Sequence, residues 1–253
     1  MLIDTHCHLD FPEYDIDRDE VIRRSLEQGI GYIINVGSSL ENSIRAKELA
    51  VKYESIFACV GCHPHDADDF SPDMLNRLKD LVSNKKVKAI GEVGLDYFRN
   101  LSTKENQKKA FLSLINLAKG SNLPLVVHSR QAQEDTLAIL KTQMVSKAIV
   151  HCFSGDEQFL NDCLRLGYYV SFTCNITYKK SDKLRKIVKI TPMDRICLET
   201  DGPYLSPEGL RGKRNEPVNV RFVAEEIARI KGISVDEVAK ATTANAKLFF
   251  NIK

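Results

Sequence analysis

The 253-residue chain holds six histidines, and their spacing and company point to chemistry rather than packing. His6 and His8 stand two apart in DTHCHLD, and His63 and His65 stand two apart in GCHPH. His128 and His151 each follow a short apolar run, PLVV and KAIV. Two carboxylates interrupt similar runs: Glu92 in AIGEVGLD and Asp201 in CLETDGPYL. A carboxylate in a buried segment needs an opposite charge or a metal ion. Neutral imidazoles buried side by side also need a shared partner, and a divalent cation serves both kinds of group. His6, His8, Glu92, His128, His151 and Asp201 suffice for two ions. His6, His8 and Asp201 are assigned to one, His128 and His151 to the other, and Glu92 bridges them with its two oxygens. Two ions about 3.5–4 Å apart would stabilise the attacking and leaving oxygens of phosphoester hydrolysis. Asp201 and Glu92 are then the expected catalytic carboxylates.

Such residues must be brought together by the elements that carry them. Eight short apolar segments read as buried parallel strands: LIDTHCHL, YIINVG, IFACVGCHP, KAIGEVGLD, PLVVHS, KAIVHCFS, YYVSFTC and RICLETD. Amphipathic stretches separate them. Val21, Ile22, Ser25 and Leu26 form one apolar face, and Leu75, Leu78, Leu81 and Val82 form another, after a Ser71-Pro72 start signal. Phe111, Leu114, Ile115 and Ala118 form a third, and Phe159, Leu160, Cys163 and Leu164 a fourth that closes at Gly167. Two helices follow the eighth strand, the last opening with the capping-box pattern SVDE. Alternation of this kind gives an α/β fold with a parallel sheet. The six histidines lie at or just past strand ends and none falls on a predicted helix. In a (β/α)8 TIM barrel the C-terminal strand ends converge on one face, where the active site forms. In an open, doubly wound sheet the first, fifth and sixth strand ends would be spread out. The expected architecture is therefore a single barrel domain over residues 1–253, with the metal site at the C-terminal strand ends.

Composition narrows the function classes. The net charge is +2, so any nucleic-acid contact must be local rather than spread over a basic face. No apolar run approaches membrane-span length, and no charged leader with an apolar core opens the chain. Seven cysteines, mostly within apolar runs, suit reduced thiols in the cytoplasm better than a disulfide framework. Cys59 and Cys62 form a CxxC, but the second pair of a structural zinc site is missing. Glu199 faces the same way as Asp201 but deeper, and is expected to hold a ligand by hydrogen bonding rather than to be one. His63 is expected on the substrate side, and Asp96 is weighed between loop architecture and support of a ligand. Phe98, Phe153 and Tyr204 are weighed between base stacking and packing. The stretch LRGKRNEP places Arg211, Lys213 and Arg214 after the eighth strand, where barrels often bind phosphate.

The motifs DTHCHLD, GCHPH, GEVGLDY, VVHSR, HCFSG, ETDGPYLSP and RGKRNEP occur in order from residue 4 to residue 217. This set resembles the TatD-related metal-dependent deoxyribonucleases of the amidohydrolase-like barrel group. The resemblance implies a (β/α)8 barrel, divalent metal and hydrolysis of DNA, with exonucleolytic action from the 3′ end. It carries the family's ligands onto His6, His8, Glu92, His128, His151 and Asp201. It also permits magnesium, whereas histidine ligands by themselves favour zinc or manganese. Strand four offers Glu92 where several amidohydrolase-like enzymes use a carboxylated lysine. One departure stands out: the family often reads HxRDA after strand five, and this chain reads HSRQA. Gln131 cannot supply a carboxylate to Arg130.

The expected activity is that of a metal-dependent deoxyribonuclease acting on single strands or 3′ ends, with no obligate protein partner. The competing readings are hydrolysis of an amide, lactone or aminoacyl-tRNA ester on the same barrel, and a non-enzymatic, metal-stabilised role in a repair complex.

Overall fold

The computed structural model describes residues 1–253. The eight apolar segments form β1 Leu2–Cys7, β2 Ile30–Val36, β3 Ile56–Val60, β4 Val87–Asp96, β5 Leu125–Arg130, β6 Ala148–Val150, β7 Tyr169–Phe172 and β8 Ile196–Leu198. They pair in parallel in chain order, β1 to β8. The ring is closed above the last pair rather than by a full ladder. Asp201 N donates to His6 O (2.9 Å) and His8 N donates to Gly202 O (2.7 Å). Beneath these, the Asp4 carboxylate meets the Thr200 amide (2.9 Å) and hydroxyl (2.6 Å). The (β/α)8 barrel is therefore the architecture, not the open sheet, and the closure ties two site residues, His6 and Asp201, directly together.

Nine α-helices surround the sheet: α1 Arg18–Glu27, α2 Leu40–Lys52, α3 Pro72–Val82, α4 Lys104–Ser121, α5 Gln133–Thr142, α6 Glu157–Arg165, α7 Asp182–Ile190, α8 Val220–Lys231 and α9 Val235–Phe250. The start of α3 follows its sequence signal, with Ser71 Oγ accepting from Met74 N and proline at the first position. The start of α9 is the reciprocal Ser234–Glu237 capping box. Helices α2, α5 and α7 had no individual signal in the reading above; they complete the alternation. No helix is long and apolar enough to cross a membrane.

Two apolar clusters hold these layers. The larger lies between helices and sheet and includes Val21, Leu78, Phe111, Leu114, Leu160 and Ile227. The smaller takes residues from every strand, Ile3, Ile34, Cys59, Ala89, Val126, Ile149, Tyr169 and Cys197 among them, together with Phe249 and Phe250 of α9. It fills the lower barrel interior and leaves the upper interior to polar groups. In β5, β6 and β8 the step from this floor to the site keeps strand alternation: Val126 to His128, Ile149 to His151, Cys197 to Glu199 and Asp201. In β1 and β4 it does not. Ile3 and His6, and Ala89 and Glu92, are three apart, so an unbroken strand would point them to opposite faces. Both strands carry a register irregularity in that interval, between Asp4 and Cys7 and between Ile90 and Val93. Such irregularities re-aim side chains near functional sites, and here they turn His6 and Glu92 inward. Gly94 completes the arrangement. Its φ is 140°, and a Cβ there would lie 2.0 Å from His128 O, so only glycine lets β4 and β5 approach this closely.

Candidate active site

The polar upper interior is centred on Glu92. Its Oε2 faces His6 Nε2 (3.4 Å) and His8 Nε2 (3.8 Å). Its Oε1 faces His151 Nε2 (2.7 Å), His128 Nδ1 (2.8 Å) and His63 Nε2 (3.2 Å). The carboxylate thus divides the histidines into two sets, one on each oxygen. Asp201 joins the first set, with Oδ1 3.6 Å from His8 Nε2 and 3.9 Å from His6 Nε2. All six residues assigned as ligands from sequence are brought together. Potential donor atoms lie within 4.8 Å of one another in three groups: His6, His8 and Glu92; His63, Glu92 and His128; and His6, His151 and Glu199.

The carboxylates and imidazoles of this cluster set one another's charge. Burial works against ionisation of Glu92, but His151 and His63 beside it hold its carboxyl well below the usual range. Burial likewise opposes Asp201, yet His8 and the other imidazoles beside it keep its carboxyl below the usual range. Both carboxylates are therefore ionised and balanced by imidazoles. Burial opposes protonation of His8, but Asp201 and Glu92 overcome it and lift His8 to about 9. Burial pulls His6 down, helped by the charge of His151. Burial also takes His63 to about 4. His6 Nε2 and His8 Nε2 are 3.3 Å apart, so at most one proton lies between them. His6 Nδ1 and His151 Nδ1 are buried without a hydrogen-bond partner. Ionised carboxylate oxygens and converging imidazole nitrogens are the donor set of divalent metals with nitrogen and oxygen preference. The residues present fit that group.

Around this centre the structure sharpens several expectations. Glu199 is fully buried; its Oε1 accepts from Cys152 N (2.6 Å) and its Oε2 from Ser171 Oγ (2.6 Å). It stands 3.6 Å from His151 Nδ1. His63 is closer in than expected, on Glu92 itself. His65 lies within a short 3-10 helix, Pro64–Asp69, so not every histidine avoids helical backbone. Asp96 has both kinds of contact that were weighed: its Oδ1 accepts from the loop amides of Phe98 and Arg99, and its Oδ2 meets His65 Nε2 (2.9 Å) and His128 Nε2 (3.2 Å). The signal was there, since alternation puts Asp96 on the face of Glu92, four residues earlier.

The substrate-side expectations divide. Arg211 and Lys213 are exposed and make no ion pair; Arg211 lies over the Tyr178 ring (4.6 Å) beside a cavity of about 450 Å³ that Lys213 and Tyr204 also line. Arg214 lines that cavity too, but its terminal nitrogens are committed. They donate to Glu13 O (2.6 Å), both Asp17 oxygens (2.7 Å each) and Glu216 Oε1 (3.0 Å), with the guanidinium over Tyr14. These contacts tie the loop after β8 to the start of α1. Phe153 is 1% exposed between Phe159 and Phe172, which makes it core. Tyr204 is half exposed, with its ring 6.3 Å from that of Phe11.

A parallel eight-stranded barrel with buried histidines and carboxylates at its C-terminal strand ends defines the metal-dependent barrel hydrolases. Within that class, the TatD related DNase family model matches residues 3–251, and the chain belongs to this family. It is 42% identical over 254 residues, all of both chains, to YabD, an uncharacterized metal-dependent hydrolase of Bacillus subtilis strain 168. It is 36% identical to the 3′-5′ ssDNA/RNA exonuclease TatD of Cronobacter turicensis, covering 98% of this chain and 97% of that one. Among solved structures, YJJV, a TatD homolog from Escherichia coli k12, superposes with a TM-score of 0.94 at 32% identity, covering 100% of this chain and 98% of that one. The protein is a metal-dependent hydrolase.

Proposed function

We propose that the whole chain, residues 1–253, works as one barrel domain that hydrolyses phosphodiester bonds of single-stranded DNA from the 3′ end, using two divalent ions. The observation that carries this reading is the division of labour at Glu92. One oxygen is directed at His6 and His8, with Asp201 beside them, and the other at His128 and His151, with His63 beside them. A single carboxylate between two nitrogen sets is how one residue serves two ions at once. His6, His8 and Asp201 would hold one ion and His128 and His151 the other; magnesium, manganese and zinc all accept such donors. When bound, the pair supplies charge neutralisation at the phosphate and acidifies water.

The chain's own residues do the rest. Asp201 accepts the proton of the attacking water. Its Oδ1 faces the histidines, its Oδ2 is uncommitted, and its side chain keeps 16% exposure. Glu199 fixes the ring of His151. Arg211 and Lys213 neutralise the backbone of the strand, as exposed cations free of ion pairs. Seven free thiols fit a reducing compartment, and we place the protein in the cytoplasm. The name of the Cronobacter relative supports a single-stranded nucleic acid as substrate.

A panel of 3′-labelled single-stranded DNA, single-stranded RNA and aminoacylated tRNA, incubated with and without added metal, tests the reading. Release of 3′ mononucleotides from DNA only when metal is present is expected. Turnover of the aminoacyl ester with intact DNA would instead establish acyl chemistry on this site.

A further inference from the structure

Of 11 phenylalanines and 8 tyrosines, only Phe98 (53%) and Tyr204 (51%) are exposed. Single exposed aromatics are ordinary. These two share a setting that is not. Phe98 lies two residues past β4, and Tyr204 lies in the loop after β8. Both therefore stand on the rim where the Glu92 cluster opens. In an eight-membered ring the β4–β5 junction is opposite the β8–β1 junction, so the loops that carry the two rings leave the barrel on opposite sides.

Each is also held in place from the site itself. Asp96 turns Oδ2 to His65 and His128, while its Oδ1 accepts from Phe98 N (2.9 Å) and Arg99 N (2.8 Å). Arg130, at the end of β5, lies with its guanidinium 4.0 Å over the Phe98 ring and makes no ion pair. Gln131 offers it no carboxylate, so the cation stays on the ring. On the opposite side Tyr204 N donates to Asp201 O (2.9 Å). The Tyr204 and Phe11 rings lie 6.3 Å apart at 76°, and Phe11 stacks on His8 (4.6 Å, 19° between planes).

We propose that the Phe98–Arg130 pair and the Tyr204–Phe11 pair are two stacking shelves that seat the unpaired bases on either side of the phosphodiester being cut. This rests on the nuclease reading above and adds how the strand is gripped. Aromatic rings and guanidinium planes stack any base without reading its edge, so the shelves tolerate sequence. They reject duplex, whose base faces are already covered by their neighbours.

The test uses a phosphorothioate-linked hexamer bound to the metal-loaded protein, with 2-aminopurine at the 3′-terminal or the next position. Wild type is expected to quench both positions. Phe98→Leu and Tyr204→Leu keep apolar bulk but lose the π face. Each is expected to relieve quenching at one position and to weaken Kd roughly 5- to 150-fold, the range for loss of one stacked base. Phe98→Trp and Tyr204→Phe should keep both signals. Melting temperatures should stay unchanged, since both side chains are half exposed. An absence of quenching in wild type, or Kd within twofold of wild type in both leucine variants, would overturn the shelves. Quenching as expected in a protein that cuts no strand would overturn the nuclease reading and leave the shelves standing.

Discussion

Arg214 offers the sharpest contest between a sequence argument and the folded chain. Its place in RGKRNEP suggests a phosphate contact; its hydrogen bonds make it a strut. Replacing it with alanine removes a bidentate pair with Asp17, a bond to Glu216, a bond to Glu13 O and the cover over Tyr14. The two paired side chains are 26% and 32% exposed, between surface pairs worth at most about 1 kcal/mol and buried ones worth more. The cation over Tyr14 adds about 0.5–1 kcal/mol. Arg24 limits the loss, because it still holds Glu216 (2.7 Å) and Asp17 (3.1 Å), so no carboxylate is stranded. The expected destabilisation is about 2 kcal/mol, or a fall in Tm of roughly 4–8 °C for a chain of this size. Thermal unfolding, read beside the salt dependence of KM on single-stranded DNA, decides the matter. The strut account expects the Tm to fall and the log KM against log salt slope to stay put. An unchanged Tm with a slope shallower by about 0.7, the signature of one lost phosphate contact, would refute it.

Asp201→Asn keeps the shape but cannot take a proton at neutral pH; turnover should fall on the order of 10²–10⁴-fold even under metal excess, and rescue by metal to within a few-fold would show Asp201 to be a ligand only. Glu199→Gln should cost about 10–100-fold, measured as kcat at saturating metal; a loss as deep as that of Asp201→Asn would instead make Glu199 a direct participant. The Arg214 hydrogen bond depresses Asp17 from 3.8 to about 2. A depressed carboxyl adds stability above its unfolded pKa and loses it as pH falls through the folded one. About 1 kcal/mol after solvent screening should therefore disappear between roughly pH 4 and pH 2. Denaturant unfolding across that window should show a shallower decline for Arg214→Ala than for wild type, and parallel curves would reject the linkage.

Much of this site was legible because strand ends converge in a barrel, so residues far apart in sequence needed only to share a strand position. His128 and His151 keep alternation with the apolar floor, and their inward direction follows from sequence alone. His6 and Glu92 owe theirs to backbone irregularities that no side-chain pattern records, so counting upward from the apolar floor does not predict their direction. Arg214 shows the opposite limit. A charge beside a site reads as substrate-facing until its partners are known, and those partners, Asp17 and Glu13, lie about 200 residues earlier in the chain. Phe153 was ambiguous for the same reason, since Phe159 and Phe172 decide that it packs.

The central claim is that Glu92 joins two ions into one phosphodiesterase centre. Titrating metal into stripped protein while following hydrolysis of a 3′-labelled single strand, with elemental analysis at each point, tests it most directly. Wild type should bind two equivalents, with activity appearing only as the second fills, and Glu92→Gln should weaken both and stay inactive. Full turnover at one equivalent, or two firmly held ions in Glu92→Gln, would contradict the account.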